Sequence, residues 1–104
     1  MTKRPPHPGD LLRSIRKLVE EGRVSYTKHA LEDQMPKRGF DIDDVEYVLT
    51  TGMIEGEISP GRKASEWSCL VVSKLSLGSR DVGVAAVVIP GHRLIVKTVE
   101  WIDP

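Results

Sequence analysis

His29 is the residue in this chain best placed to move a proton. An unperturbed imidazole titrates near about 6.5, so histidine can serve as acid or base at neutral pH. His29 opens a helix directly after a short extended stretch, Val24-Ser25-Tyr26, and its plainer role is to cap or pack that helix. Two cations complete a set suited to chemistry at a phosphate, where charge grows on oxygen as a proton leaves. Arg38, just before Gly39, could clamp such a group, or pair with Asp41, Asp43 or Asp44. Lys97 interrupts an apolar strand, on the face that strict alternation shares with Ile95, Val99 and Trp101; it either lines a cleft or snorkels to the rim.

Further candidates are weaker. Arg62 and Lys63 follow Pro60-Gly61 and could bind phosphate or stand as solvated loop charges. Tyr26, Trp67 and Trp101 could stack on unpaired bases, although core packing is the usual place for tryptophan. His92 lies in a Pro-Gly-His-Arg turn and reads as exposed. His29 and Asp33 stand one helical turn apart, but two ligands do not make a metal site, and no metal or cofactor is expected. No phosphate-binding glycine loop, nucleophile elbow or paired-carboxylate motif is present.

The elements that must position these residues divide the chain in two. Residues 1–8 hold three prolines and adjacent basic residues and read as an extended basic arm, with one domain over 9–104. Asp10 is placed to cap a first helix, whose Leu11, Leu12, Ile15, Leu18 and Val19 recur at helical spacing before Gly22. Thr27 can cap a second helix, Lys28 to about Met35, with Ala30, Leu31 and Met35 inward and Pro36 ending or kinking it. Asp41 and Asp44 frame a third, with Ile42, Val45, Val48 and Leu49 inward and Gly52 closing it.

From residue 53 the period changes to that of strands: Met53–Ile58, Trp67–Leu75, Val82–Ile89 and Leu94–Ile102, separated by Ser-Pro-Gly, Gly-Ser and Pro-Gly turns. Val82–Ile89 is apolar on both alternations, as for a central strand covered on both faces. Short links favour antiparallel pairing. The expected class is α+β, N-terminal helices packed on a four- to five-stranded antiparallel sheet.

Bulk properties set limits. The chain has 104 residues, 39% hydrophobic and 29% charged, which fits one globular core and not a disordered chain. Fifteen Lys and Arg balance fifteen Asp and Glu, so a nucleic-acid partner would need its cations gathered on one face. The basic N-terminus leads into no apolar run, which argues against a signal peptide, and no stretch is long enough to span a membrane. Cys69 is the only cysteine, so neither an internal disulfide nor a cysteine zinc site can form. These features point to the cytoplasm.

Three stretches resemble one bacterial family of unknown function. They are Tyr26-Thr27-Lys28-His29-Ala30-Leu31, Lys37-Arg38-Gly39-Phe40 and Asp43-Asp44-Val45-Glu46-Tyr47-Val48-Leu49. The family pattern is a His-Ala pair, then Arg-Gly, then an acidic-capped helix ending in Val-Leu. Leu70-Val71-Val72 and Leu94-Ile95-Val96-Lys97-Thr98-Val99 agree with its second half. Asp33 stands where the family usually has a basic residue, and the segment from His29 to Arg38 is one residue longer, around Gln34-Met35-Pro36.

That group is similar to the RelE-like and MqsR-like mRNA interferase toxins. Lys3-Arg4-Pro5-Pro6-His7 and Lys17-Leu18-Val19 also resemble the start of MqsR-like chains. The resemblance implies a RelE/MqsR-like fold and metal-independent endoribonuclease activity in a type II toxin–antitoxin pair. His29, Arg38 and Lys97 would then be catalytic, with Tyr26, Arg62 and Lys63 on the RNA. It also implies a cognate antitoxin of zinc-finger or helix-turn-helix type. The alternative is a non-catalytic interaction module of the same fold; a third reading is a regulator that binds nucleic acid through the N-terminal arm.

Overall fold

Pro8 opens the first helix, α1 (Pro8–Glu20), because the missing proline N–H costs nothing in a first turn. The cap is His7 and not Asp10: the His7 Nδ1 accepts from the Gly9 N–H at 3.0 Å. Asp10 instead lies in the first turn and pairs with Arg13. The computed structural model describes residues 4–74 and 80–102, so Leu75 and the Gly78-Ser79 turn signal fall outside the described residues. No helix among the described residues is long and apolar enough to cross a membrane.

After α1 the chain makes a three-residue strand, β1 (Val24–Tyr26), then a π-helical segment (His29–Gln34) that runs into α2 (Met35–Arg38). The helix α3 (Ile42–Thr51) follows, then β2 (Met53–Pro60), β3 (Trp67–Lys74), β4 (Asp81–Ile89) and β5 (Arg93–Ile102). The five strands form one sheet in the order β1-β5-β4-β3-β2. The pairs from β2 to β5 are antiparallel, but β1 runs parallel to β5, so the sheet is mixed and not antiparallel. The short links constrain only the last four strands; β1 is far enough from β5 in sequence for a parallel crossover.

The core lies between the helices and one sheet face. Leu11, Ile15, Leu18, Val45, Val48 and Leu49 meet Val71, Val84, Val88, Leu94, Val96 and Val99, all sealed from solvent. Asp41 and Asp44 form the capping box expected of α3, at 2.8 and 3.0 Å. Leu31 and Ile42, expected inward, are 42% and 44% exposed. Ile42 sits in the first turn of α3, and Leu31 on a π-helical turn whose spacing departs from 3.6 residues. On β4 the outward residues Ala85, Val87 and Ile89 are only half-buried, since the described helices cover one face of the sheet. The strand is central in order but is not covered on both sides.

Candidate functional site

The site is built where β1 stops and β5 continues. The Thr27 N–H still bonds the Val96 carbonyl at 3.0 Å, and Thr27 Oγ1 then accepts from the Ala30 N–H at 3.2 Å, turning the strand into a helix. Beyond that point no strand among the described residues lies beside this edge of β5, and side chains take over. Gln34 Oε1 accepts from the Val99 N–H at 3.2 Å, and Arg38 Nη1 donates to the Val99 carbonyl at 3.0 Å. Both backbone groups of Val99 are thereby satisfied at an otherwise open edge. Arg38 thus pairs with a strand carbonyl and not with Asp41, Asp43 or Asp44, and its side chain remains exposed with other donors available.

Between His29 and Arg38 the helical stretch begins as a π-helix. Met35 N–H reaches the Ala30 carbonyl, five residues back, where an α-helix would reach four. Pro36, expected to end or kink the helix, instead sits in the first turn of α2, where no donor is required. Gly39, at φ 79°, closes α2 in the left-handed region that suits glycine.

The same geometry puts Gln34 against His29. Gln34 Nε2 lies 3.0 Å from His29 Nε2, and His29 Nδ1 lies 3.3 Å from Asp33 Oδ2. Since Gln34 Oε1 is held by the Val99 N–H, its amide nitrogen must face the imidazole and donate to it. That leaves the proton on Nδ1, where Asp33 accepts it. Lys37 Nζ holds the other Asp33 oxygen at 2.9 Å. The Asp33 carboxyl is held below its ordinary range, first by the Lys37 hydrogen bond and charge, then by the charges of His29 and Arg38. The imidazole stays 63% exposed, so its Nε2 is accessible to a substrate that displaces the Gln34 amide.

The remaining candidates lie elsewhere. Lys97 opposes no residue of β4: Ala85 pairs with Thr98 and Ala86 with Val96, which makes Lys97 the extra residue of a β-bulge. The bulge breaks the alternation, so Lys97 does not share a face with Val99 and Trp101; it turns to the uncovered face with Ile95, where it and Arg62 line one cavity. Lys63 lies in the same β2–β3 loop and lines a smaller adjoining cavity. Tyr26 packs against the core with its hydroxyl buried and unpartnered. Burial, with the charges of Glu46 and Asp43, pushes its phenol up to about 12, so it stays protonated. Trp67 is buried, and Trp101 packs on Phe40 at 4.7 Å between ring centres with Arg80 4.8 Å from its ring. His92 is exposed on the β4–β5 turn.

Asp33 and Gln34 therefore belong to the same hydrogen-bonded series as His29. The first is legible from its i,i+4 spacing to His29; the second meets His29 only because the segment is π-helical. A family model described as a domain of unknown function (DUF4258) matches residues 26–101, from the last residue of β1 to the end of β5 but one. No curated protein and no solved structure matches the chain.

Proposed function

The chain belongs to the DUF4258 family of domains of unknown function, and on that premise we propose that it is a metal-independent endoribonuclease of the RelE/MqsR toxin type. It would cut single-stranded mRNA in the cytoplasm of a bacterium that also makes a cognate antitoxin of zinc-finger or helix-turn-helix type. The observation that carries the reading is the oriented series Val99–Gln34–His29–Asp33–Lys37. It presents one imidazole nitrogen as an acceptor at the surface while a carboxylate holds the proton on the other.

In the reaction, the RNA 2′-hydroxyl displaces the Gln34 amide and gives its proton to His29 Nε2. The 2′-oxygen attacks phosphorus, the bond to the 5′-oxygen breaks, and that oxygen takes a proton from solvent at the exposed rim. The products are a 2′,3′-cyclic phosphate and a 5′-hydroxyl. Asp33 stabilises the imidazolium that forms, and Lys37 and Arg38, whose charges act on Asp33, would offset the phosphate charge. In this reading Lys97, on the other face of the sheet, does not touch the reacting phosphate.

The test pairs purified protein with labelled single-stranded RNA in the presence of a chelator, and induced expression in bacteria. Wild type should leave cyclic-phosphate ends and arrest growth, and His29→Ala should cut at least about a hundredfold more slowly and be harmless. RNA left intact by the wild type would sink the proposal. One observation favours a second reading, the non-catalytic interaction module. The uncovered sheet face is apolar where Leu70 and Ile102 close over Gly83, leaving about 3 Å for any added side-chain carbon there.

A further inference from the structure

The bulge that turns Lys97 away from His29 also delivers it to a groove that the ribonuclease reading leaves unused. On the uncovered face, the β2–β3 loop overhangs β3, β4 and β5 and bounds a cavity of about 730 Å³. That size falls within the range of small-molecule sites, roughly 300–1,000 Å³. Its floor includes the half-buried side chains of Ala85, Val87 and Ile95, a shallow apolar surface. Arg62 and Lys97 line it and are exposed, and among the described residues neither side chain has a hydrogen-bond or ion-pair partner. Glu66 is also in the wall; its Oε1 accepts from the Lys63 N–H at 3.3 Å, and its other oxygen has no partner among the described residues.

We propose that this groove binds a phosphate monoester of nucleotide size, with Arg62 and Lys97 on the phosphate, Glu66 on sugar hydroxyls, and Ala85, Val87 and Ile95 under the base. Two cations without partners among the described residues, lining one groove, match a dianion, and the arginine fork suits a phosphate in particular. A carboxylate oxygen is an acceptor only, so Glu66 can take hydroxyl donors but repels a second anion. A polymer is a poorer fit. An RNA strand needs a track of cations, and beyond the groove this face carries Leu70 and Ile102 over Gly83. The site stands independently of the His29 reading.

The test is an amide NMR titration of the full chain with adenosine 5′-monophosphate, adenosine, inorganic phosphate, and an oligoribonucleotide bearing a 5′-hydroxyl. The monophosphate should shift Arg62, Ala85, Val87, Ile95 and Lys97 saturably, and adenosine should bind at least about tenfold more weakly. Arg62→Ala and Lys97→Ala should each raise the Kd about tenfold or more. Ala85→Leu, checked for a dispersed native spectrum, should block binding by filling the floor. The absence of saturable shifts would overturn the proposal, as would an unchanged Kd in Lys97→Ala. So would shifts gathered at Lys28, Lys37 and Arg38, or tighter binding of the oligoribonucleotide than of the monophosphate. A dimer that buries the groove and excludes the nucleotide would overturn it too.

Discussion

Two positions on β5, two residues apart, meet their polar neighbours in opposite ways. At Val99 both backbone groups are held by side chains from the helical half, and those side chains run on through His29 and Asp33 to Lys37. At Lys97 the side chain stands with Arg62 over a groove, and neither has a partner among the described residues. The first arrangement fixes proton positions and ties two halves of the molecule together. The second holds charge in reserve. The lesson is that the three residues expected to act together serve two places, and a single-residue bulge separates them.

The sharpest way to break the comparison is by stability. Gln34→Ala leaves the part-buried Val99 N–H without its acceptor, a loss of about 1–3 kcal/mol for an unsatisfied buried group. Arg62→Ala removes an exposed side chain with no partner among the described residues and should stay within about 0.5 kcal/mol of wild type. Urea unfolding of both variants measures the contrast, and equal effects would erase it.

A smaller effect is expected at Tyr26, on the strand that leads into the site. Its hydroxyl is buried without a partner, so Tyr26→Phe should raise stability by about 1 kcal/mol in the same assay. Its folded pKa, pushed up by burial to about 12, lies above the ordinary phenol value of 10.0. The folded chain therefore keeps the proton longer than the unfolded one, and stability falls as pH rises from 10.0 toward about 12. Tyr26→Phe should remove that part of the alkaline loss. The part due to Cys69, whose buried thiol is pushed up to about 11, should remain.

The smallest effect is at Asp33. Its carboxyl is held below 3.8, so its contribution is present above that pH and is lost as pH falls through the lower folded value. Asp33→Asn should flatten this acid limb in unfolding midpoints measured against pH. The effect is slight, because Asp33 is at the surface and solvent screens its partners.

How much of this was legible depends on how local the signal is. Asp41 and Asp44 bracket the first turn of α3 at a spacing that only a helix makes useful, so that helix is plain from the chain. His29 and Arg38 also reach the same seam, as residues of one short helical stretch can. Gln34 is hidden by its spacing: five residues from His29, it would miss the imidazole on an α-helix. Lys97 misleads for a related reason, since an alternating strand puts it with Val99 and a bulge leaves no mark in these side chains. The parallel partner of β1 is the least visible, because three residues carry little pattern and the partner strand is the last one.

That last pairing sets an order of events for the newborn chain. The strand leading to His29 and the residue that steadies Gln34 lie far apart in sequence, at Tyr26 and Val99. Contacts so distant in sequence form late, and a chain emerging from the ribosome lacks them until β5 is released. The imidazole is translated early, but its proton is placed only once β5 has followed. A domain built this way stays unassembled at its candidate centre until its fifth strand has left the machine that makes it.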